Sequence, residues 1–175
     1  RLIPQLEGIR KQETGKINIV AHSAGGFYSL YAIQNSHIEI QNLVTVSTPY
    51  LGLDFIQAWR ENSSLFTELT NLCSLDGLKQ LTPAYVAEFV KKVRVPENLK
   101  IFTYGGWQPR SLDIWNAKNL SGVLRVTDHF IPGDSDGIVS FKSSLGINGF
   151  LTRSNKAAKM FVDKNFTIPL EHWEQ

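Results

Sequence analysis

The chain has 175 residues, 42% of them hydrophobic and 19% charged, enough for one domain with a substantial core. A formal net charge of +2 is too small to make nucleic acid or an anionic membrane the main partner, and no apolar run approaches the length of a membrane span. The single cysteine, Cys73, excludes an internal disulfide framework and a CxxC metal site; among Leu69, Leu72 and Leu75 it reads as a small buried hydrophobe.

In chain order, Leu2, Ile3, Leu6 and Ile9 repeat at helical spacing, and Gly15 offers a C-cap-type stop. Ile17, Ile19 and Val20 form a short β-branched strand, and Phe27 to Ile33 continue as a helix. A second strand, Leu43 to Val46, ends in Ser47-Thr48-Pro49. A third, Ile101 to Tyr104, closes on Gly105-Gly106, and a fourth is placed between Lys159 and Ile168. Short apolar strands separated by helical segments predict a parallel sheet flanked by helices.

Residues 53 to 98 break that rhythm. Phe55, Ile56 and Trp59, then Leu65, Phe66, Leu69 and Leu72, then Leu75, Leu78 and Leu81 carry one apolar face after another. Thr82-Pro83 looks like an N-cap followed by proline at the first helical position, and Tyr85, Val86, Phe89, Val90 and Val93 supply the next face. Lys91, Lys92 and Arg94 form its wet side. A crossover between parallel strands needs only about a dozen residues. This longer stretch is read either as an extended crossover or as a helical cap or lid over a site, with Trp59, Phe66 and Tyr85 as its substrate-facing candidates.

The chemistry begins at Ala21-His22-Ser23-Ala24-Gly25, a G-x-S-x-G turn with alanine at its first glycine. A serine on a tight strand-to-helix turn exposes its hydroxyl at the carboxyl end of the sheet. Residues two positions to either side must be small to clear the adjoining strand and helix. The helix start adds free N–H groups and a positive dipole end, which places the Ala24 N–H to stabilise a developing oxyanion.

A serine nucleophile needs a base oriented by a carboxylate; on such a turn the acid, then the histidine, follow it in the chain. Of the four histidines, His22 lies inside the turn, and His37 follows the first helix closely as a surface residue. Asp136 stands in Gly133-Asp134-Ser135-Asp136-Gly137-Ile138-Val139, a glycine-bearing loop beyond the third strand. His129 precedes it and His172 follows it. Ser23, Asp136 and His172 are therefore the candidate triad, with Asp134 as an alternative acid and Asp128 as another partner for His172. No two histidines share a ligand spacing, so no metal is expected. No cofactor is expected either: the chain lacks G-x-x-x-x-G-K-(S/T) and G-x-G-x-x-G runs.

On "INIVAHSAGG", "LVTVSTPYLG", "LTPAYVAEF", "IFTYGG", "GDSDGIVS" and the terminal "LEHWEQ", the chain resembles the bacterial triacylglycerol lipases and related esterases of the α/β-hydrolase superfamily. The resemblance implies an α/β-hydrolase-like parallel sheet, a serine hydrolase acting on carboxylic esters, most of all acyl lipids, and a lid formed by residues 53 to 98. It also implies further strands upstream, with a loop supplying the second oxyanion-hole N–H. The chain opens on Arg1 just one helix before the nucleophile strand. Residues 1 to 175 are accordingly expected to be a single core, incomplete at its N-terminus and the C-terminal portion of a longer protein. One missing oxyanion donor costs roughly 3–4 kcal/mol, so weak activity is expected without that segment, which is itself a possible partner. A small-ester hydrolase, thioesterase or acyltransferase with the same triad, and a non-catalytic binding domain of this fold, remain the alternatives. The sequence sets no compartment.

Overall fold

A computed structural model describes residues 2–56, 75–106, 130–131, 133–146 and 158–160. In chain order these form helix α1 (Leu2–Gln12), strand β1 (Ile17–His22), helix α2 (Gly25–Asn35), strand β2 (Ile40–Val46), helices α3 (Leu75–Gln80) and α4 (Pro83–Lys92), strand β3 (Lys100–Tyr104), helix α5 (Phe141–Leu145) and strand β4 (Ala158–Met160). The four strands lie in the order β1-β2-β3-β4 and every pair is parallel. Each expected strand is present.

Register explains how the sheet is covered. Ile19 stands beside Leu43, and Leu43 beside Ile101; two residues on, Ala21, Thr45 and Thr103 form the next row of the same face. Leu43 and Ile101 are buried in one core with Leu6 of α1, Phe27, Leu30 and Ile33 of α2, and Val86 of α4. The Phe27 ring meets Tyr50 edge-on at 5.8 Å and Phe89 at 5.5 Å, so α2 and α4 share one aromatic seam. The alternate row, Val20, Val44 and Phe102, faces the other way, and Val20 is 75% exposed. A second, smaller cluster joins Leu53, Phe55 and Ile56 to Ile131 and Val139.

One local expectation is corrected and another is refined. Helix α1 does not stop on a left-handed Gly15, which is absent from the positive-φ residues. Arg10 closes it instead: Nη1 donates to Glu13 O (3.3 Å) and Gly15 O (2.7 Å), and Nη2 donates to Glu39 O (3.1 Å). A guanidinium suits carbonyls left open at a helix end. Thr82 occupies the N-cap of α4, but its side chain makes no capping bond there. Thr82 Oγ1 donates to Lys79 O at 2.8 Å, closing α3 instead.

The stretch 53–98 divides. From Pro83 onward it is packed into the main core, with Val86 and Val93 buried there and Phe89, Val90 and Val95 against it; residues 57–74 lie outside the described residues, Cys73 among them. Lys91, Lys92 and Arg94 are exposed, as read. Among the described residues no helix is long and apolar enough to cross a membrane.

Candidate active site

The β1–β2 ladder continues one residue past the strand: Ser23 N–H donates to Val46 O at 2.9 Å. There the chain reverses. Ser23 has φ 52°, the left-handed region, which an L-residue adopts at roughly 1–2 kcal/mol. Ala24 follows at φ −56°, ψ −21° as the N-cap of α2. Helices prefer a serine, threonine, aspartate or asparagine there, whose side chain satisfies the first N–H groups. Alanine cannot, and no side-chain cap is made. Gly26 N–H turns back to Ser23 O (3.1 Å) and Phe27 N–H to Ala24 O (3.0 Å), while the Ala24 and Gly25 N–H groups donate to nothing among the described residues. An uncapped helix start beside a serine hydroxyl is an electropositive seat for an oxyanion.

The steric demand on small residues falls one position later than the motif suggests. A Cβ added at Gly25 would sit 3.7 Å from Ala21 Cβ, an ordinary contact. At Gly26 it would overlap Thr48 Oγ1 and lie 2.7 Å from Thr48 Cγ2. The close approach that excludes a side chain is between α2 and the segment after β2.

That segment, residues 47–52, is hydrogen-bonded at each residue, Pro49 O accepting from Gly52 N–H at 2.8 Å. Ser47, also left-handed at φ 48°, donates its N–H to Tyr104 O at 2.9 Å. Thr48 Oγ1 donates to Ser23 O at 2.8 Å. Tyr50 is buried and its hydroxyl donates to Thr45 Oγ1 at 3.1 Å. Ser143 Oγ accepts from Leu51 N–H (3.0 Å) and donates to Gly52 O (3.1 Å). Gly52, at φ 84°, runs hard against Pro83.

Asp136 is built into a compact loop. Gly133 and Gly137 take φ 83° and 98°, and Ser135 Oγ accepts from Gly137 N–H at 3.0 Å. Asp136 Oδ1 accepts from Ile138 N–H (3.0 Å) and Val139 N–H (2.8 Å), an aspartate turn that fixes the carboxyl plane. The other oxygen, Oδ2, lies 3.8 Å from the point where a Gly106 side chain would begin, and Ser47 Oγ lies 3.8 Å from the same point. Asp136 Cβ is only 3.0 Å from it, so glycine at 106 leaves room for the carboxylate beyond the ends of β2 and β3. Asp134 is exposed where Asp136 is half-buried, and its backbone oxygen accepts from Phe141 N–H at 2.7 Å. Its part is to join the loop to α5, whose N-cap Ser140 accepts from Ser143 N–H at 3.2 Å.

Of the residues singled out from sequence, Ser23, Ala24 and Asp136 are thus placed at the carboxyl end of one parallel sheet. Tyr85 is on α4 and 51% exposed. His172, Trp59, Phe66, Asp128 and His129 lie outside the described residues. His22 and His37 are exposed. Sequence reasoning missed Gly26, Gly106 and the Thr48 hydroxyl. The threonine was visible in Ser47-Thr48-Pro49, but nothing local says that its hydroxyl reaches a carbonyl 25 residues back.

Comparison with known proteins agrees with this architecture. Residues 3–81 match the family described as "Putative serine esterase (DUF676)". No curated protein sequence matches the chain. Among solved structures, the Bacillus licheniformis lipase BlEst2 in its mature form superposes with a TM-score of 0.67 at 19% identity, over 91% of this chain and 63% of that one. The propeptide form of the same lipase gives 0.58 at 22% identity, over 82% and 32%. Lipase 1 from Pelosinus fermentans gives 0.56 at 13% identity, over 89% and 62%. The chain therefore spans less than two thirds of the length of each. Its parallel sheet flanked by helices is that of the α/β-hydrolases, and the resemblance to bacterial lipases and esterases read from its motifs extends to the fold.

Proposed function

We propose that the chain carries the catalytic centre of a serine hydrolase that cleaves carboxylic esters, most of all acyl lipids, through an acyl-enzyme. The observation that carries this reading is Ser23 itself: a left-handed serine at the carboxyl end of a parallel strand, followed by a helix whose first N–H groups have no cap. Ser23 Oγ adds to the ester carbonyl carbon while His172 takes its proton. The same proton goes to the leaving alcohol as the C–O bond breaks. Water then adds to the acyl-serine carbonyl carbon as His172 takes its proton, and that proton passes to Ser23 Oγ as the acyl C–Oγ bond breaks, releasing the acid and restoring the free serine. The Ala24 N–H donates to the oxyanion in both tetrahedral stages. Asp136 Oδ2 holds the imidazole in the tautomer that leaves Nε2 free to accept; Oδ1, occupied by two N–H groups of its own loop, keeps the carboxylate in place.

The preference for acyl chains rests on the apolar stretch within 53–98, with Trp59 and Phe66 as its candidate contacts. On this reading the lid is confined to the residues before Pro83, because α4 is packed into the core; Tyr85 is exposed on α4.

The direct test is labelling of the full-length protein with a fluorophosphonate, followed by peptide mapping. Ser23 is expected to carry the phosphonyl group, and an unmodified Ser23 in folded protein would overturn the assignment. A series of p-nitrophenyl esters then reads the acyl preference: kcat/KM should rise beyond butyryl, and a flat or falling series would point to a small-ester hydrolase.

A further inference from the structure

We propose that Thr48 is a positioning residue that aims the Ala24 N–H at the oxyanion through the Ser23–Ala24 peptide. The proposal rests on the reading of Ser23 as the nucleophile.

The argument starts from a rigid plane. A peptide unit is flat and trans, so its C=O and N–H point in opposite directions and turn together. The carbonyl of the Ser23–Ala24 unit is held by two donors: Thr48 Oγ1 at 2.8 Å and Gly26 N–H at 3.1 Å. The N–H at the other end is that of Ala24, which donates to nothing among the described residues. Fixing the carbonyl oxygen therefore fixes the direction of the N–H. Gly26 alone is a weak anchor, because it belongs to the first turn of the same helix and moves with it. Thr48 belongs to a different element, held through Ser47 to β3 and through Leu51 and Gly52 to α5. It references the turn to the body of the sheet. A hydrogen bond on a carbonyl also polarises the amide and strengthens its N–H as a donor.

The packing singles out the same contact. Thr48 Oγ1, Cγ2 and Cβ together fill the space where a Gly26 side chain would stand. The absence of a side chain at 26 is what lets the threonine reach Ser23 O. Ser23 at φ 52° sits in a sparsely populated conformation that persists only when its surroundings over-determine it. Thr48 supplies both a hydrogen bond and a steric stop.

Thr48→Val keeps the shape against Gly26 and removes only the hydroxyl; Thr48→Ser keeps the hydroxyl and removes the methyl. In the full-length protein, with a p-nitrophenyl ester, Thr48→Val should lower kcat about ten-fold with KM within about two-fold. This is a fraction of the roughly 10²–10³ that an entire oxyanion donor contributes, lost as an interaction made only in the transition state. The rate of phosphonate labelling at Ser23 should fall in parallel, and the pH dependence of kcat should not move, because the base is untouched. Thr48→Ser should stay within about two-fold of the parent in all three readouts. Thr48→Val with an unchanged kcat would overturn the proposal, as would Thr48→Ser losing as much as Thr48→Val, since the methyl would then be the operative group. Equal labelling of parent and Thr48→Val removes the role of Thr48 alone. A parent in which Ser23 takes no label removes the nucleophile reading and Thr48's role with it.

Discussion

At the serine turn, Ser23 is kept in its left-handed conformation by a threonine 25 residues on in the chain, which is itself fastened to β3 and α5. At the acid loop, Asp136 is kept in place by N–H groups two and three residues ahead of it, with glycines taking the positive φ angles. The first is a tertiary construction and the second is nearly self-contained. A serine turn whose geometry depends on the assembled sheet is set only when the domain has folded, whereas an aspartate turn can form from its own few residues. The two should therefore respond differently to substitution.

The largest expected effect lies in the acid loop. Asp136→Asn keeps an oxygen for the Ile138 and Val139 N–H groups, so the turn survives, but the carboxylate charge is lost. On the triad reading kcat should fall about 10⁴-fold, the scale seen when a triad aspartate becomes asparagine, with the thermal unfolding midpoint nearly unchanged. Asp134→Asn, at an exposed position whose structural contact is its backbone oxygen, should leave kcat within about two-fold. The reverse pattern in a steady-state ester assay would transfer the role of the acid to Asp134.

This asymmetry also explains what could be read from the sequence. The strand–turn–helix at Ser23 was legible because it is written locally, in β-branched residues, then small ones, then an apolar helix face. The loop of Asp136 was legible for the same reason, through Gly133 and Gly137. That Asp136 is half-buried against the β3 end, where Gly106 leaves the room, while Asp134 is exposed was not, because it depends on tertiary packing. The position of the α4 cap was legible in Thr82-Pro83, but not that the Thr82 hydroxyl donates back to Lys79 O at the end of α3 while its side chain makes no capping bond. That the helix from Pro83 packs into the sheet core was hidden, because core and outlying helices carry the same apolar periodicity, and only the burial of Val86 shows it.

A pair of glycines sharpens the comparison on the stability side. Gly52, on the segment that supports the serine turn, and Gly133, in the acid loop, have nearly the same φ, 84° and 83°. A Cβ at Gly52 would meet Pro83 Cα and N at 2.5 Å, whereas one at Gly133 meets nothing within 4 Å among the described residues. Alanine at either position carries the penalty of a left-handed L-residue, roughly 1–2 kcal/mol. Only Gly52→Ala adds a backbone collision, between the chain after β2 and the start of α4. It should cost about 2–4 kcal/mol in urea unfolding, against about 1 kcal/mol for Gly133→Ala. Equal losses would mean that the 47–52 segment yields as freely as the loop, and the contrast between the two regions would fail.

The smallest effect is at Tyr50, under the serine turn. Its ring is buried and its hydroxyl donates to Thr45 Oγ1; burial pushes the ionisation of the phenol far above its ordinary value, against a smaller opposing effect of the Thr45 bond. Below about pH 10 the tyrosine is protonated in folded and unfolded chains alike, and its contribution to stability is complete. Above that, the unfolded chain releases the proton while the folded one retains it, so stability declines by up to about 1.4 kcal/mol per pH unit for this one group. Tyr50→Phe should lose about 1 kcal/mol at pH 7 with its hydrogen bond, then decline less steeply than the parent above pH 10. The gap between the two should narrow in urea unfolding at pH 7, 9, 10.5 and 11. Every other group is common to both proteins, so the difference between the curves isolates Tyr50. Parallel curves would show that the hydroxyl reaches water, and that the support beneath Ser23 is less closed than its hydrogen bonds imply.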